Sequence, residues 1–229
     1  MYVKSNKETS FSSIEPNYES IGVYIDWVKS CHCSTQLYTS PQPNYNSEEL
    51  KLLAAHEAGH ALCSFFLHGC KNGCVKEISI DTQRENIIGY AATSAFTPII
   101  KTRSSLLKEI QVLLAGRTAE LLICEDCSEG AVNDIQRATQ IAENIVKKWG
   151  MSQTLPPVYI EKEFRVSEEY LKMIDREVRE VLTEQNHKST QLLKDNINAL
   201  EKMIALLQEK KILNQVEIEN IFQECITTN

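Results

Sequence analysis

Residues 56–60 read His-Glu-Ala-Gly-His and combine two imidazoles with a carboxylate at a spacing suited to metal chemistry. They lie inside an apolar-periodic stretch, residues 48–67, which predicts a helix. Because positions i and i+4 share a helix face, His56 and His60 can bind one metal ion while Glu57 stands beside it. The less favoured interpretation is a buried helix with two satisfied histidines and an unrelated glutamate.

A catalytic zinc site needs a third protein ligand and leaves the fourth position to water. No HxxGxxH continuation follows His60, so we expect the third ligand to come from a later helix. Asp134 lies in the first turn of such a helix, where an acidic residue also suits the positive helix end. Spacing alone leaves five candidates open: Asp134, Glu120, Asp126, Glu125 and His68.

Hydrophobic periodicity and helix-end signals predict the elements that position these residues. Ser47 can cap the metal-binding helix, acidic residues at 48 and 49 suit its positive end, and Gly69 stands where it should stop. Alternation predicts a strand at 75–80, a turn at 81–86 and a second strand at 87–93. Apolar stripes predict helices at 104–123 and at 131–149, the latter closed by Gly150. From residue 167 onward the chain is expected to be helical throughout, as two long helices and a short one.

These elements predict a mainly α protein with a small β-sheet beside the metal helix. Residues 1–46 form an N-terminal extension in which 21–28 has the pattern of an ordered helix or strand. Residues 47–229 form the main domain, with the metal site and sheet in 47–155 and a helical bundle in 156–229. Leucine and isoleucine stripes in the bundle predict packing on the chain's own core. Self-association into a homo-oligomer through the bundle is the alternative.

Composition limits the classes of partner. The chain has 229 residues, a net charge of −7 and 42% hydrophobic residues, and its sequence pI is near 5.4. Clustered Lys and Arg for phosphate binding are not found, so no nucleic-acid partner is expected. No apolar run has the length of a membrane span, and the first 30 residues lack the apolar centre of a signal peptide. We therefore expect a soluble, cytoplasmic protein without an integral membrane segment.

Cysteines raise the question of a second metal. Eight are present, and six of them form the close pairs Cys31/Cys33, Cys70/Cys74 and Cys124/Cys127. Two pairs brought together could hold a structural zinc ion. Because no spacing matches a strong zinc-finger pattern, isolated thiols are the favoured interpretation.

Four separate motifs between about residues 48 and 226 resemble the peptidase domain of FtsH-type AAA metalloproteases. They are HEAGH at 56–60 with Ala61 following, LLAGRTAE at 113–120, GAVNDI at 130–135 with RAT at 137–139, and WGMS at 149–152. The resemblance implies a zincin-like fold around the HExxH helix. In that family the Asp of the Asn-Asp pair completes the zinc site. The ligands implied for Zn²⁺ are therefore His56, His60 and Asp134, with Glu57 as the catalytic base.

The implied function is a zinc-dependent endopeptidase that acts on unfolded or flexible polypeptides. Family members carry membrane spans and an ATPase module, whereas this sequence has no GxxxxGK[ST] phosphate loop, so no ATPase of its own is expected. An extended substrate is expected to add alongside residues 87–93. The alternative is a non-catalytic zinc-binding relative that acts as a regulatory or partner-binding subunit, and the intact Glu57 argues against it.

Overall fold

The computed structural model describes residues 45–68, 75–81, 89–93, 100–161 and 166–227. This part of the chain contains six α-helices, which are α1 Ser47–His68, α2 Arg103–Cys124, α3 Val132–Lys147, α4 Glu168–Asp195, α5 Ile197–Lys210 and α6 Gln215–Thr227. It also contains three strands in one antiparallel sheet of order β2-β1-β3, which are β1 Val75–Ser79, β2 Tyr90–Thr93 and β3 Ile212–Asn214. A mainly helical fold with a small sheet, as predicted, is confirmed.

Asn46, rather than Ser47, caps helix α1. Its side-chain oxygen accepts hydrogen bonds from the backbone N–H groups of Glu48 and Glu49, both at 2.9 Å. The Glu49 carboxylate in turn accepts a hydrogen bond from the backbone N–H of Asn46 at 2.8 Å. This reciprocal capping box begins the helix one position before the predicted cap. The expectation for Ser47 was wrong because both residues are good caps and only the backbone geometry distinguishes them.

Helices α1 and α2 pack closely because small residues line their contact. A Cβ added at Gly59 would lie 2.6 Å from the carbonyl oxygen of Ala115 and 2.7 Å from Cβ of Ala119. The alanines at 54, 55, 58 and 61 of α1 are fully buried. Small side chains let two helix backbones approach, and this approach brings side chains of α2 to the HExxH motif.

Lysine side chains show that α1 and α2 run antiparallel. Lys51, near the start of α1, donates to the carbonyl of Ile123 at the end of α2, at 3.4 Å. Lys108, near the start of α2, donates to the carbonyl of Leu67 at the end of α1, at 3.0 Å. Each helix therefore supplies a cation to the negative C-terminal end of the other.

Two apolar clusters form the core. The first joins α1, the sheet, α5 and α6, and its buried members include Ala54, Leu62, Ile78, Leu200, Met203, Leu213 and Phe222. The second joins α2, α3 and α4, and its buried members include Leu106, Ile110, Ala142, Ile145, Ile174 and Val181. The predicted stripes of the C-terminal helices thus pack mostly inward, but Leu171 is an exception with 47% exposure.

The C-terminal region is not helical throughout, contrary to the prediction. Helix α5 ends at Lys210, its C-cap Lys211 adopts a left-handed conformation with φ of 67°, and β3 follows directly. In β3, Leu213 is fully buried and is paired with Ile78 of the central strand. A three-residue strand is too short to show a period of its own, and its pairing partner lies far away in sequence. Three helices are present, as predicted, but only α4, with 28 residues, is long, whereas α5 and α6 have 14 and 13 residues.

Several further expectations have different outcomes. No helix of the described residues is both long and apolar enough to span a bilayer. Helix α3 is shorter than predicted, because a 3₁₀ turn occupies Glu129–Ala131 and the helix ends at Lys147. Some predictions concern residues that the structure does not describe. These are the ordered segment at 21–28, the cysteines at 31, 33, 70 and 74, the turn at 81–86 apart from Asp81, and positions 87 and 88 of the second strand. The division at residue 46 stays a prediction.

Candidate metal centre

His56 and His60 project from adjacent turns of α1 towards the same point. Their Nε2 atoms are 3.0 Å apart, and the side chains are only 10% and 13% exposed. The i, i+4 spacing read from the sequence therefore does place both imidazoles on one helix face, directed to a shared position.

Asp134, in the first turn of α3, completes a triangle with the two imidazoles. Its Oδ2 atom lies 3.4 Å from Nε2 of His56 and 3.3 Å from Nε2 of His60. The 3₁₀ turn before α3 is capped by Ser128, whose hydroxyl oxygen accepts a hydrogen bond from the N–H of Gly130 at 3.2 Å. This capped turn starts α3 where its first turn faces α1.

The triangle has dimensions suited to a metal ion. A tetrahedral zinc ion with bonds of about 2.0–2.1 Å needs ligand atoms about 3.3 Å apart. The three separations observed here run from 3.0 to 3.4 Å. Among the described residues, this is the one group of three or more His, Cys, Asp or Glu side chains with ligand atoms close enough to share an ion. Two imidazoles and a carboxylate are also a donor set that zinc accepts.

Helix α2 holds the opposite nitrogen of each imidazole. Nδ1 of His60 is 2.8 Å from the backbone carbonyl oxygen of Val112, and Nδ1 of His56 is 2.6 Å from Oε1 of Glu120. A carbonyl can only accept a hydrogen bond, so Nδ1 of His60 carries the proton and, in the neutral ring, Nε2 presents its lone pair. This arrangement orients both rings for metal binding.

Glu120 is itself fixed by the segment between α2 and α3. The backbone N–H of Ser128 donates to Oε2 of Glu120 at 2.6 Å, and the Ser128 hydroxyl donates to Oε1 at 3.1 Å. Burial opposes ionisation of Glu120, but the hydrogen bonds from His56 and Ser128 prevail and lower its pKa. Glu120 therefore stays a carboxylate. Although it was one of the candidate ligands, it contacts the nitrogen that faces away from Asp134.

Electrostatics at the triangle favour a cation. Burial penalises a charged His56, but hydrogen bonds to Asp134 and Glu120 outweigh this penalty and raise the pKa of His56 to about 10. Burial likewise opposes ionisation of Asp134, and the hydrogen bonds from both imidazoles hold its pKa well below the usual range. Without a metal, the two carboxylates therefore favour a protonated, positively charged His56 ring. A bound metal ion can supply that positive charge instead.

Glu57 is buried beside the triangle, with 7% exposure. Burial raises its pKa, and the neighbouring His56 and His60 oppose that rise. Gly89, directly before β2, approaches it closely, since a Cβ added there would lie 3.0 Å from Oε1 of Glu57. A carboxylate with a raised pKa holds a proton more readily than an exposed one, as a group that accepts and returns a proton must.

The remaining candidate ligands lie elsewhere. Glu125 is an exposed residue with φ of 57° at the end of α2, and Asp126 accepts a hydrogen bond from the N–H of Cys127 at 2.7 Å. His68, at the end of α1, bonds through Nδ1 to the carbonyl of Ser64 at 3.1 Å. Cys124 and Cys127 are free thiols outside any such metal-binding group of the described residues. The structure therefore brings Asp134, and none of these residues, to the paired nitrogens.

Sequence reasoning missed the roles of Glu120 and Gly89. A signal for Glu120 was present, because it belongs to the LLAGRTAE motif on a predicted helix. Its contact with the far nitrogen of His56 could not be read from that motif, since the contact depends on how α1 and α2 pack. Gly89 carried no signal, because its proximity to Glu57 arises from the position of β2.

Comparison with known proteins places the chain in a family. Residues 44–221 match the family model described as Peptidase family M41. The chain is 35% identical over 198 residues to the "ATP-dependent zinc metalloprotease FtsH" of Caldicellulosiruptor bescii, which covers 79% of this chain and 31% of that protein. It is 36% identical over 181 residues to the protein of the same name from Leptotrichia buccalis, covering 76% of this chain and 23% of that protein.

A third relative gives a consistent result. The "ATP-dependent zinc metalloprotease FtsH 1" of Thermoanaerobacter sp. is 35% identical over 191 residues, 77% of this chain and 31% of that protein. The chain thus spans about a third or less of the length of these relatives. The family match includes α1, α2 and α3, and with them every side chain of the triangle. The chain belongs to peptidase family M41.

Proposed function

We propose that this chain is a zinc-dependent endopeptidase domain in which His56, His60 and Asp134 hold the zinc ion. The observation that carries the proposal is the triangle of Nε2, Nε2 and Oδ2 atoms with sides of 3.0–3.4 Å. The names of the relatives, which describe zinc metalloproteases, support the choice of metal. Glu120 and the carbonyl of Val112 orient the two rings from behind.

Glu57 is the proposed catalytic base. When bound, zinc supplies Lewis-acid chemistry, since it makes water more acidic and polarises a carbonyl group. Glu57 accepts the proton of the attacking water through its carboxylate and then returns it to the departing amine. Its burial supports this role, because a raised pKa helps the carboxyl group to hold the proton between the two transfers.

The proposed substrates are unfolded or flexible polypeptides. A folded protein cannot enter a cleft as an extended segment unless work is done on it, and the 229 residues contain no GxxxxGK[ST] phosphate loop. We therefore propose that this chain cleaves such substrates without ATP. We propose that the substrate lies on the β2 side of Glu57, and the approach of Gly89, directly before β2, to the carboxylate supports this position.

A peptidase assay on Glu57→Gln tests the proposal. Glutamine keeps the shape of the side chain but cannot accept the proton, so turnover of an unfolded casein should fall by about 10²–10⁴-fold. Zinc content and circular dichroism should match the wild type. The matched control is Glu201→Gln, an exposed position on α5, which should leave turnover unchanged.

Five results would count against parts of the proposal. Retained turnover in Glu57→Gln would remove Glu57 from the mechanism. Activity that survives a zinc chelator, or a wild type that binds no zinc, would remove the metal. Cleavage of casein only when ATP and an ATPase are added would refute the ATP-independent version, whereas zinc binding without any cleavage would favour the regulatory alternative.

A further inference from the structure

Three positions on one face of α2 lie opposite the two histidines of α1. Val112, Gly116 and Glu120 follow one another at intervals of four residues, as His56 and His60 do. Because the helices are antiparallel, Val112 faces His60 and Glu120 faces His56. Gly116 lies between them. The first and last of these positions bond to the Nδ1 atoms of the two rings, whereas Gly116, in the middle, has no side chain with which to bond.

Gly116 lies against the nitrogens that face Asp134. A Cβ added at Gly116 would be 2.5 Å from Nε2 of His60 and 2.8 Å from Nε2 of His56, and 2.7 Å from Cε1 of the latter ring. Carbon atoms do not approach ring atoms so closely. Any side chain at this position would therefore displace one or both imidazoles from their present places.

The rings have little freedom to move aside. Each is held at Nδ1, by the Val112 carbonyl at 2.8 Å and by Glu120 at 2.6 Å. Rotation of either ring would break a hydrogen bond in a buried place, which is unfavourable. Retreat of α2 as a whole would also open the close packing of α1 against α2 where Gly59 meets Ala115, which is unfavourable.

We propose that Gly116 is a positioning residue of the metal site, and this inference rests on the zinc role proposed above for His56 and His60. The absence of a side chain lets the backbone of α2 lie against both Nε2 atoms while the outer nitrogens stay bonded. Glycine is required here for the space that it leaves, since the backbone of Gly116 is ordinary helix and has no positive φ.

The direct test is zinc affinity of Gly116→Ala, measured by competition with a chromophoric chelator. Loss of correct ligand orientation typically costs 10–100-fold in metal affinity, and a loss of at least tenfold is expected here. The absorption spectrum of the Co²⁺-substituted protein should also change, because it reports the geometry of the ligands. Affinity within threefold of the wild type, with an unchanged Co²⁺ spectrum, would overturn the inference.

A second measurement separates the imidazole contact from general damage to the fold. Alanine favours a helix over glycine, so Gly116→Ala should raise the melting temperature once the obstructing rings are gone. In a His56→Ala/His60→Ala background without metal, we expect Gly116→Ala to raise the melting temperature. In the wild-type background, we expect it to lower the melting temperature. Equal shifts in both backgrounds would contradict the inference even if the single variant folds poorly.

Gly59→Ala is the matched control. It also adds a methyl group between α1 and α2, but that group would meet Ala115 and Ala119 rather than an imidazole. Its melting temperature should fall in both backgrounds. The thermal comparison needs no zinc, so it tests Gly116 even if the wild type binds none. If the wild type binds zinc and Gly116→Ala binds it equally well, this inference is refuted while the proposed zinc site stands.

Discussion

At the scale of single residues, each side of the two imidazoles has a different partner. The Nε2 atoms face Asp134 at 3.3–3.4 Å, while the Nδ1 atoms face α2 at 2.6–2.8 Å. Glu57 belongs to neither set and is buried next to Gly89. In the proposed mechanism, metal binding and proton transfer would depend on different residues, so they should be separable by substitution.

Gly89→Ala tests that separation on the side of the base. The added methyl group would lie 3.0 Å from Oε1 of Glu57 and 2.9 Å from Cδ1 of Leu53, so the carboxylate must shift. A misplaced general base should lower kcat by about tenfold to a hundredfold, because catalysis depends closely on geometry. Zinc affinity should stay at the wild-type value, since no metal-facing atom is touched.

A double variant provides the control for this prediction. If Gly89→Ala acts through Glu57, it should lower kcat no further in a Glu57→Gln background. A comparable fall in both backgrounds would show that Gly89 affects the reaction by another route. Weakened zinc binding in the single variant would also contradict the assignment.

At the scale of elements, α2 and the segment after it organise the centre. One face of α2 contacts the histidines, and another face contributes Leu106 and Ile110 to the second apolar cluster. The segment from Glu125 to Ala131 then fixes Glu120 through Ser128 and leads directly into α3. The same segment therefore orients His56 and places Asp134.

Glu177 of helix α4 forms hydrogen bonds with the turn that follows α3. This carboxylate is 4% exposed and accepts hydrogen bonds from the hydroxyl of Ser152 at 2.6 Å, the N–H of Gln153 at 2.8 Å and the hydroxyl of Thr154. Burial opposes its ionisation, but these hydrogen bonds prevail and lower its pKa. One carboxylate thus accepts hydrogen bonds from three successive residues of the turn that follows α3.

Glu177→Gln should lower the free energy of unfolding by about 1–3 kcal/mol at neutral pH, because a charged acceptor is lost to several donors. The pKa of Glu177 is lower in the folded than in the unfolded chain, so its ionisation stabilises the fold above the unfolded pKa. This stabilisation is lost as the pH falls through the folded pKa. Urea unfolding at a series of pH values measures both effects. A difference between variant and wild type that persists unchanged in acid would contradict this account.

At the scale of the whole molecule, the candidate metal centre lies where the two apolar clusters meet. Helix α1, with both histidines, belongs to the cluster that includes the sheet, whereas α3, with Asp134, belongs to the other cluster. A metal ion bound to all three side chains would connect the two clusters. Ligands from distant elements also mean that the site exists only in the folded chain.

Zinc should therefore stabilise the entire fold. An ion that binds the folded chain alone, at a concentration 100 times its Kd, adds about 2.7 kcal/mol to the free energy of unfolding. Thermal melts should show a higher Tm with zinc than with a chelator. Asp134→Asn should lose most of this difference, and Asp175→Asn, at an exposed residue of α4, should retain it. Equal melting temperatures with and without zinc in the wild type would contradict the prediction.

Local sequence patterns were sufficient for much of this protein. Periodicity alone predicts α1, α2, β1 and the long C-terminal helices, because an amphipathic element carries its pattern within its own residues. The i, i+4 spacing likewise determines that His56 and His60 share a face. Capping was ambiguous, since Asn46 and Ser47 are adjacent and both are suitable.

Tertiary structure decided what depends on distant residues. Spacing could not choose between Asp134 and Glu120 as the third ligand, and only the resemblance to a known family pointed to Asp134. Packing places Asp134 at the paired Nε2 atoms and Glu120 at Nδ1 of His56. Strand β3 and the close approach of Gly116 were likewise invisible in the sequence. A residue's type and its local spacing set what its side chain can bind, but the packing of helices and strands determines which atoms it meets.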